Sequence, residues 1–85
     1  MYMETKELHL VAVSPETTIY DGKVDSVSLP GEMGSFTVLP NHAPLISSLS
    51  AGEVAYVQGK EVKSMKITGG FVEVRDNQVS ACIEL

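Results

Sequence analysis

His9, His42 and Cys82, eleven Asp and Glu residues and a scatter of serines are the side chains of this sequence that could do chemistry. A hydrolytic triad needs a nucleophile, a base within reach and an acid that orients the base. All three residue types are present, but no Gly-x-Ser-x-Gly elbow surrounds a serine and no histidine lies near Cys82 in sequence. Zinc ligands announce themselves as close pairs such as His-x-His or Cys-x-x-Cys, and neither pattern occurs. Gly31-Glu32-Met33-Gly34 is a glycine-bearing turn without the Gly-Lys-Ser/Thr ending or the helix that would hold a phosphate. The bland readings are therefore the better ones. The serines and aspartates are turn residues, His9 is a side chain on the solvent face of a strand, and Cys82 is a small, partly buried apolar residue. No catalytic residue, metal ligand, cofactor or small-molecule substrate is expected.

The elements that must position these residues are short. Glycines and prolines at 22, 30, 31, 34, 40, 44, 52, 59, 69 and 70 leave little room for a long helix, and between them lie runs rich in Val, Ile, Leu and Phe. Such punctuation is what an all-β sandwich or barrel looks like in sequence. Val79, Ala81, Ile83 and Leu85 share one parity against Gln78, Ser80, Cys82 and Glu84, the pattern of a half-buried strand. Val72 and Val74 pair likewise, and Asp76-Asn77 suits a tight hairpin because both residues tolerate positive φ. A second hairpin is expected at Gln58-Gly59-Lys60, joining strands near Val54–Val57 and Val62–Ile67. Upstream, strands are expected at Leu8–Val13, Thr17–Tyr20, Lys23–Leu29 and Ser35–Leu39, with Asp21-Gly22 as a turn. Leu45, Ile46 and Leu49 also have helical spacing, but their surroundings favour a strand. Gly69-Gly70 reads as a bulge or sharp bend. The expected fold is all-β: a flattened two-sheet β-sandwich of about eight to ten short, mostly antiparallel strands.

Bulk properties narrow the partners. The chain has 85 residues, enough for one small domain, 1–85, of which residues 1–6 are expected to be loosely ordered. Six basic residues against eleven acidic ones give a net charge of −5, with the lysines and Arg75 dispersed among acids. Nucleic acid and anionic membrane surfaces, which both select for basic faces, are thus unlikely partners. No apolar run approaches the ~20 residues of a membrane span, so no direct membrane insertion is expected. A lone cysteine fits a reducing, intracellular compartment.

One block remains unusual. From Leu29 to Leu45 the chain carries three prolines and two glycines around an apolar Met33 beside Glu32. Proline stiffens a loop by fixing φ and restricting the unfolded chain. A stiff, protruding loop suits the gripping of another protein; a plain hairpin with a polar tip would read the same way. The residues alone leave both readings open.

Pro30-Gly31-Glu32-Met33-Gly34-Ser35-Phe36-Thr37-Val38-Leu39-Pro40-Asn41-His42-Ala43-Pro44-Leu45 resembles the signature of the F-type ATP synthase ε subunit family (δ in mitochondria), Pro40 to Leu45 being the most specific piece. Leu8–Glu16, Tyr20–Val24, Leu49–Val54 and Thr68–Val74 follow in order and spacing, so the resemblance covers nearly all of residues 6–85. It implies a β-sandwich and a non-catalytic place in the central stalk, joining the γ subunit to the c-ring and helping couple proton or sodium-ion transport to ATP synthesis. It also implies a peripheral position on the cytoplasmic face of a bacterial inner membrane, held there through the complex. Residue by residue, the ring- or γ-facing positions would be Gly31, Glu32, Met33, Gly34, Ser35, Asn41 and His42. The family often has an acid where Ser35 stands, which would move a charged contact to Glu32. The two-helix hairpin with which many members continue, inhibiting ATP hydrolysis and in some binding ATP, is not expected in these 85 residues. The alternatives are a free-standing β-sandwich module for carbohydrate or peptide, which would want an aromatic platform from Tyr2, Tyr20, Phe36, Tyr56 and Phe71 in the absence of any Trp, and a small hydrolase without a recognisable nucleophile.

Overall fold

A computed structural model describes residues 7–85. The expectation for residues 1–6 lies outside the described residues. Nine strands follow in chain order: β1 (Leu8–Val13), β2 (Thr18–Val24), β3 (Ser26–Gly31), β4 (Gly34–Val38), β5 (Leu45–Leu49), β6 (Gly52–Gln58), β7 (Glu61–Ile67), β8 (Gly69–Arg75) and β9 (Gln78–Glu84). Pro44–Leu49 thus resolves in favour of a strand. The hairpins at Gly59 and at Asp76-Asn77 form where the turn residues place them, with positive φ at Gly59, Asp76 and Asn77.

Hydrogen bonding makes one continuous, curled sheet rather than two separate ones. Its larger part runs β2-β1-β9-β8-β5 and its smaller part β4-β3-β6-β7. A single residue pair, Gly31 opposite Leu49, joins them. All pairings are antiparallel except β1 with β9. The corner at that joint explains how Pro30 sits inside β3. Ser50 N–H donates to Pro30 O (2.8 Å) and Glu32 N–H donates to Ser48 O (3.0 Å), so Pro30 turns its backbone groups toward the place where β5 hands over to β6. No ladder bond is due there, and the missing N–H costs nothing.

Both parts turn their alternating apolar residues toward one core. Leu10 of β1 stands beside Val79 of β9, which pairs with Val74 of β8; all three are buried. From the smaller part come Val27, Leu29, Val38, Val54 and Ile67, also buried. Period-two alternation is required by this arrangement, since a slip of one residue would turn a whole apolar row outward. His9 lies on the opposite face, exposed, with Nε2 2.6 Å from Asp21 Oδ1.

Three expectations are corrected. Asp21-Gly22 is not a turn: β2 runs through it, Gly22 opposite Leu10, and the chain bends at Asp25 instead, passing from β2 to β3. Asp25 N–H donates to Val57 O (2.7 Å) and its Oδ2 accepts from Gly59 N–H (2.6 Å), which ties the bend to the β6–β7 hairpin. Asp25→Ala is expected to cost about 1 kcal/mol, measured by urea unfolding. Of the bulge or sharp bend expected at Gly69-Gly70, the bulge is absent: the ladder to β9 keeps register through both residues and that to β5 through Gly70, while the chain bends at Thr68 just before them. Leu85 falls outside β9 and is exposed, because the strand ends at Glu84.

The surface beside β1 and β2 carries an ion pair, Lys23 Nζ to Glu7 Oε1 at 2.9 Å. The hydrogen bond that Lys23 donates to Glu7, and then the Glu7 charge, hold the Lys23 ammonium above its usual pKa. A folded-state pKa that is raised stabilises below the unfolded value and loses that contribution as pH climbs through the folded one. Glu7→Gln is therefore expected to lower the melting temperature only slightly at neutral pH, because the pair is exposed. That difference from the parent is expected to vanish above pH 10.5, where both proteins lose the lysine charge.

Candidate partner-contact surface

The β3–β4 hairpin turns in two residues, Glu32 and Met33, between Gly31 and Gly34, which face each other. So tight a tip needs both glycines. Gly34 has φ +130°, and a Cβ on Gly31 would stand 2.7 Å from Gly34 O and 2.9 Å from the Phe36 ring. The bond from Glu32 N–H to Ser48 O braces the tip against β5. Above that brace Met33 is 100% exposed, with Glu32, Gly34 and Ser35 exposed around it. Among the described residues Glu32 enters no ion pair. Its carboxylate is thus presented to solvent beside an apolar side chain on a stiff support.

The β4–β5 loop, Leu39-Pro40-Asn41-His42-Ala43-Pro44, is held by its neighbours. Asn41 adopts φ 67°, and His42 N–H donates to Leu39 O (3.2 Å). Asn41 N–H donates to Asn77 Oδ1 (2.6 Å), and Asn77 Nδ2 donates back to Asn41 Oδ1 (3.3 Å). Asn77 O in turn accepts from His9 N–H (2.9 Å). The loop is thereby sewn to the β8–β9 turn and to β1. His42 is half-buried, and its Nδ1 donates to Ala43 O at 2.6 Å. Asn77→Gly keeps a residue suited to positive φ but removes both side-chain bonds. It is expected to cost about 1 kcal/mol and to raise amide exchange at Asn41, read by NMR.

The structure separates the expected site residues into two groups. Gly31 to Ser35 lie beside Ser48 at the end of β5, whereas Asn41 lies beside Asn77 near its start. The length of β5 sets these points roughly 13 Å apart at ~3.3 Å per residue. They are two contact points, not one cluster. Asn77 and Ser48 were not legible as parts of this surface. Asn77 announces a turn, but no local signal names a partner 36 residues away.

Two further features bear on partners. On the outer face of β1, β9 and β8, Val13, Pro15, Phe71 and Cys82 line a shallow apolar hollow, with Phe71 half exposed. The aromatic residues do not gather into a platform. Tyr20 and Tyr56 stack on each other with ring centroids 4.6 Å apart, Phe36 packs on the core, and Phe71 stands alone; Tyr2 lies outside the described residues.

Residues 7–84 match the family model described as the ATP synthase delta/epsilon chain, β-sandwich domain. The chain belongs to this family. The ATP synthase epsilon chain of Leptospira borgpetersenii serovar Hardjo-bovis is 44% identical over 78 residues, covering 92% of this chain and 61% of that protein. The epsilon chain of Desulfitobacterium hafniense is 45% identical over 71 residues, covering 84% and 54%. The chain thus spans about three fifths of the length of the curated epsilon chains it matches. In fold it is similar to a chain of the Euglena gracilis mitochondrial ATP synthase, solved as OSCP/F1/c-ring, with a TM-score of 0.84 at 19% identity, covering 98% of this chain and 59% of that one. A chain from the Tetrahymena thermophila mitochondrial ATP synthase, solved as central stalk/c-ring, gives 0.80 at 16% identity, covering 98% and 67%.

Proposed function

We propose that this domain is a non-catalytic rotor part of an F-type ATP synthase, fastening the γ subunit to the c-ring in the central stalk. In that place it helps couple proton or sodium-ion transport to ATP synthesis from the cytoplasmic face of a bacterial inner membrane. The observation that carries the reading is the braced, fully exposed Glu32-Met33 tip in a chain of the delta/epsilon family. Torque transmission asks for a stiff body and two adjacent contact surfaces, not for bond chemistry. The curled sheet acts here as a flattened two-layer sandwich, its halves facing each other across the shared core. The molecule's thinnest dimension, 20 Å, suits two packed layers.

In this reading the tip, Gly31 to Ser35, rests on polar loops of the ring. Asn41 and His42 form the second point, and the apolar hollow at Val13, Phe71 and Cys82 supplies the buried contact to γ. The absence of an acid at Ser35 leaves Glu32 as the charged member of the tip.

The test is co-purification with isolated γ and with γ plus c-ring. Glu32→Ala combined with His42→Ala is expected to weaken capture by the ring assembly about tenfold or more while the thermal melt stays within a few degrees of the parent. Unchanged capture, or loss of folding in step with loss of capture, would remove the assignment.

A further inference from the structure

Met33 and Met65, the methionines among the described residues, stand in opposite surroundings. Met65 sits on β7 opposite Val54, half-buried and packed against the core. Met33 is 100% exposed at the β3–β4 tip. Nothing beside it gives shelter. Gly31 and Gly34 carry no side chains, the space over Gly34 is open, and the Phe36 ring packs on the core. A thioether packed in a core is screened from oxidants, whereas one in solvent is open to them. Hydrogen peroxide is neutral, so the adjacent Glu32 carboxylate and the net charge of −5 do not hold it off.

The tip is held without help from the Met33 side chain. Its shape rests on backbone: Gly31 faces Gly34 across the hairpin, and Glu32 N–H donates to Ser48 O at 3.0 Å. Chemistry at the Met33 sulfur therefore changes the surface of the tip and leaves its frame in place. Met65 is the reverse case. A polar oxygen on that sulfur would enter the packing against the core and loosen the body.

We propose that Met33 is a modification site: a peroxide oxidises its thioether to the sulfoxide in the unassembled chain, and the oxidised tip loses its seat on the ring. The seat is the ring contact proposed above, on which this rests. In the step the peroxide O–O bond breaks and an S=O bond forms. The sulfur gives up two electrons, and hydrogen peroxide is reduced to water. A flexible apolar side chain becomes a polar one whose oxygen must be stripped of water on docking. Between the two sulfurs, oxidation falls first on the contact and spares the fold. Seated on the ring, Met33 is covered, so assembly and oxidation compete for the same side chain. The step is reversible. A methionine sulfoxide reductase removes the oxygen as water at the expense of a dithiol, which becomes a disulfide.

Peroxide treatment of the chain, followed peptide by peptide by mass spectrometry, tests this. The Met33 peptide is expected to gain one oxygen about tenfold faster than the Met65 peptide, with the thermal melt unchanged while Met65 is intact. Capture of the treated chain by γ plus c-ring is expected to be about tenfold weaker than that of the untreated chain, and to return after methionine sulfoxide reductase with dithiothreitol. Met33→Leu removes the sulfur at the tip but keeps every other methionine and the half-buried Cys82. Compared with its own untreated form, this variant should lose no capture on treatment. Three results overturn the proposal: Met65 oxidised as fast as Met33, a treated parent captured like the untreated one, or Met33→Leu losing as much on treatment as the parent. Any of these, with Glu32→Ala plus His42→Ala still weakening capture, leaves the rotor reading standing. No capture of the untreated chain removes the rotor reading and the oxidation-sensitive seat together.

Discussion

Gly70→Ala is expected to destabilise the domain by about 3 kcal/mol or more, lowering Tm by about 12–24 °C for a chain of this size. Two independent causes act at this position. Gly70 holds φ +142°, a conformation that side chains resist. A Cβ there would also stand 2.2 Å from Cys82 O and 3.0 Å from Ile83 Cα, both backbone atoms of the paired strand β9. Backbone in a ladder cannot swing aside as a side chain can, so relief requires opening β8 from β9. The neighbouring glycine is the control. Gly69 has no positive φ, and its Cβ would meet only Leu49 O at 3.7 Å, an ordinary contact. Gly69→Ala is expected to change stability by less than about 1 kcal/mol. Thermal melts followed by circular dichroism decide the matter, and equal melting temperatures for the two variants would refute the account of Gly70.

Leu29→Ala is expected to cost about 2–5 kcal/mol, seen as a lower urea midpoint at unchanged slope. Leu29 is 1% exposed and sits on β3, the strand through which the two parts of the sheet are joined. Its truncation leaves a hole where both parts meet, and the ladders on either side resist the collapse that would close it. Met33, four residues on, is wholly exposed, and Met33→Ala is expected to stay within about 0.5 kcal/mol of the parent. The contrast matters for function. A rotor contact built on the tip requires that the tip can be altered without disturbing the body. If Met33→Ala were to unfold the domain as Leu29→Ala does, the tip would be part of the core, and loss of binding in tip variants could no longer be read as loss of a contact.

The all-β class and nearly every strand were legible because their signals are local. Val79, Ala81 and Ile83 alternate, turn residues close the hairpins at Gly59 and Asp76-Asn77, and no packing information is needed to see either. Asp21-Gly22 misled for the same reason. An Asp-Gly pair has strong turn chemistry on its own, but pairing of β2 with β1 along its length kept the strand extended, and the chain bent at Asp25, where Val57 and Gly59 supplied partners. Gly69-Gly70 was recognised as special, but what Gly70 requires is close approach of β9, which nothing adjacent in sequence announces. The candidate contact loop was legible as a motif, yet its division into two points at opposite ends of β5 was not.

By itself, then, the sequence determined nearly all the segments that are strands, which face of each is apolar, where the hairpin turns at Gly59 and Asp76-Asn77 fall, and the family to which the chain belongs. These depend on residue types at spacings of one to four, and on a motif read as a string. Tertiary structure alone decided that β1 lies parallel to β9, that Gly31 and Leu49 join the two parts of the sheet, and that Asn77 tethers Asn41. Each of these is a choice among strands of similar composition, settled by which arrangement buries all the apolar faces at once and leaves backbone groups paired. That is a property of the whole chain, carried by no single segment.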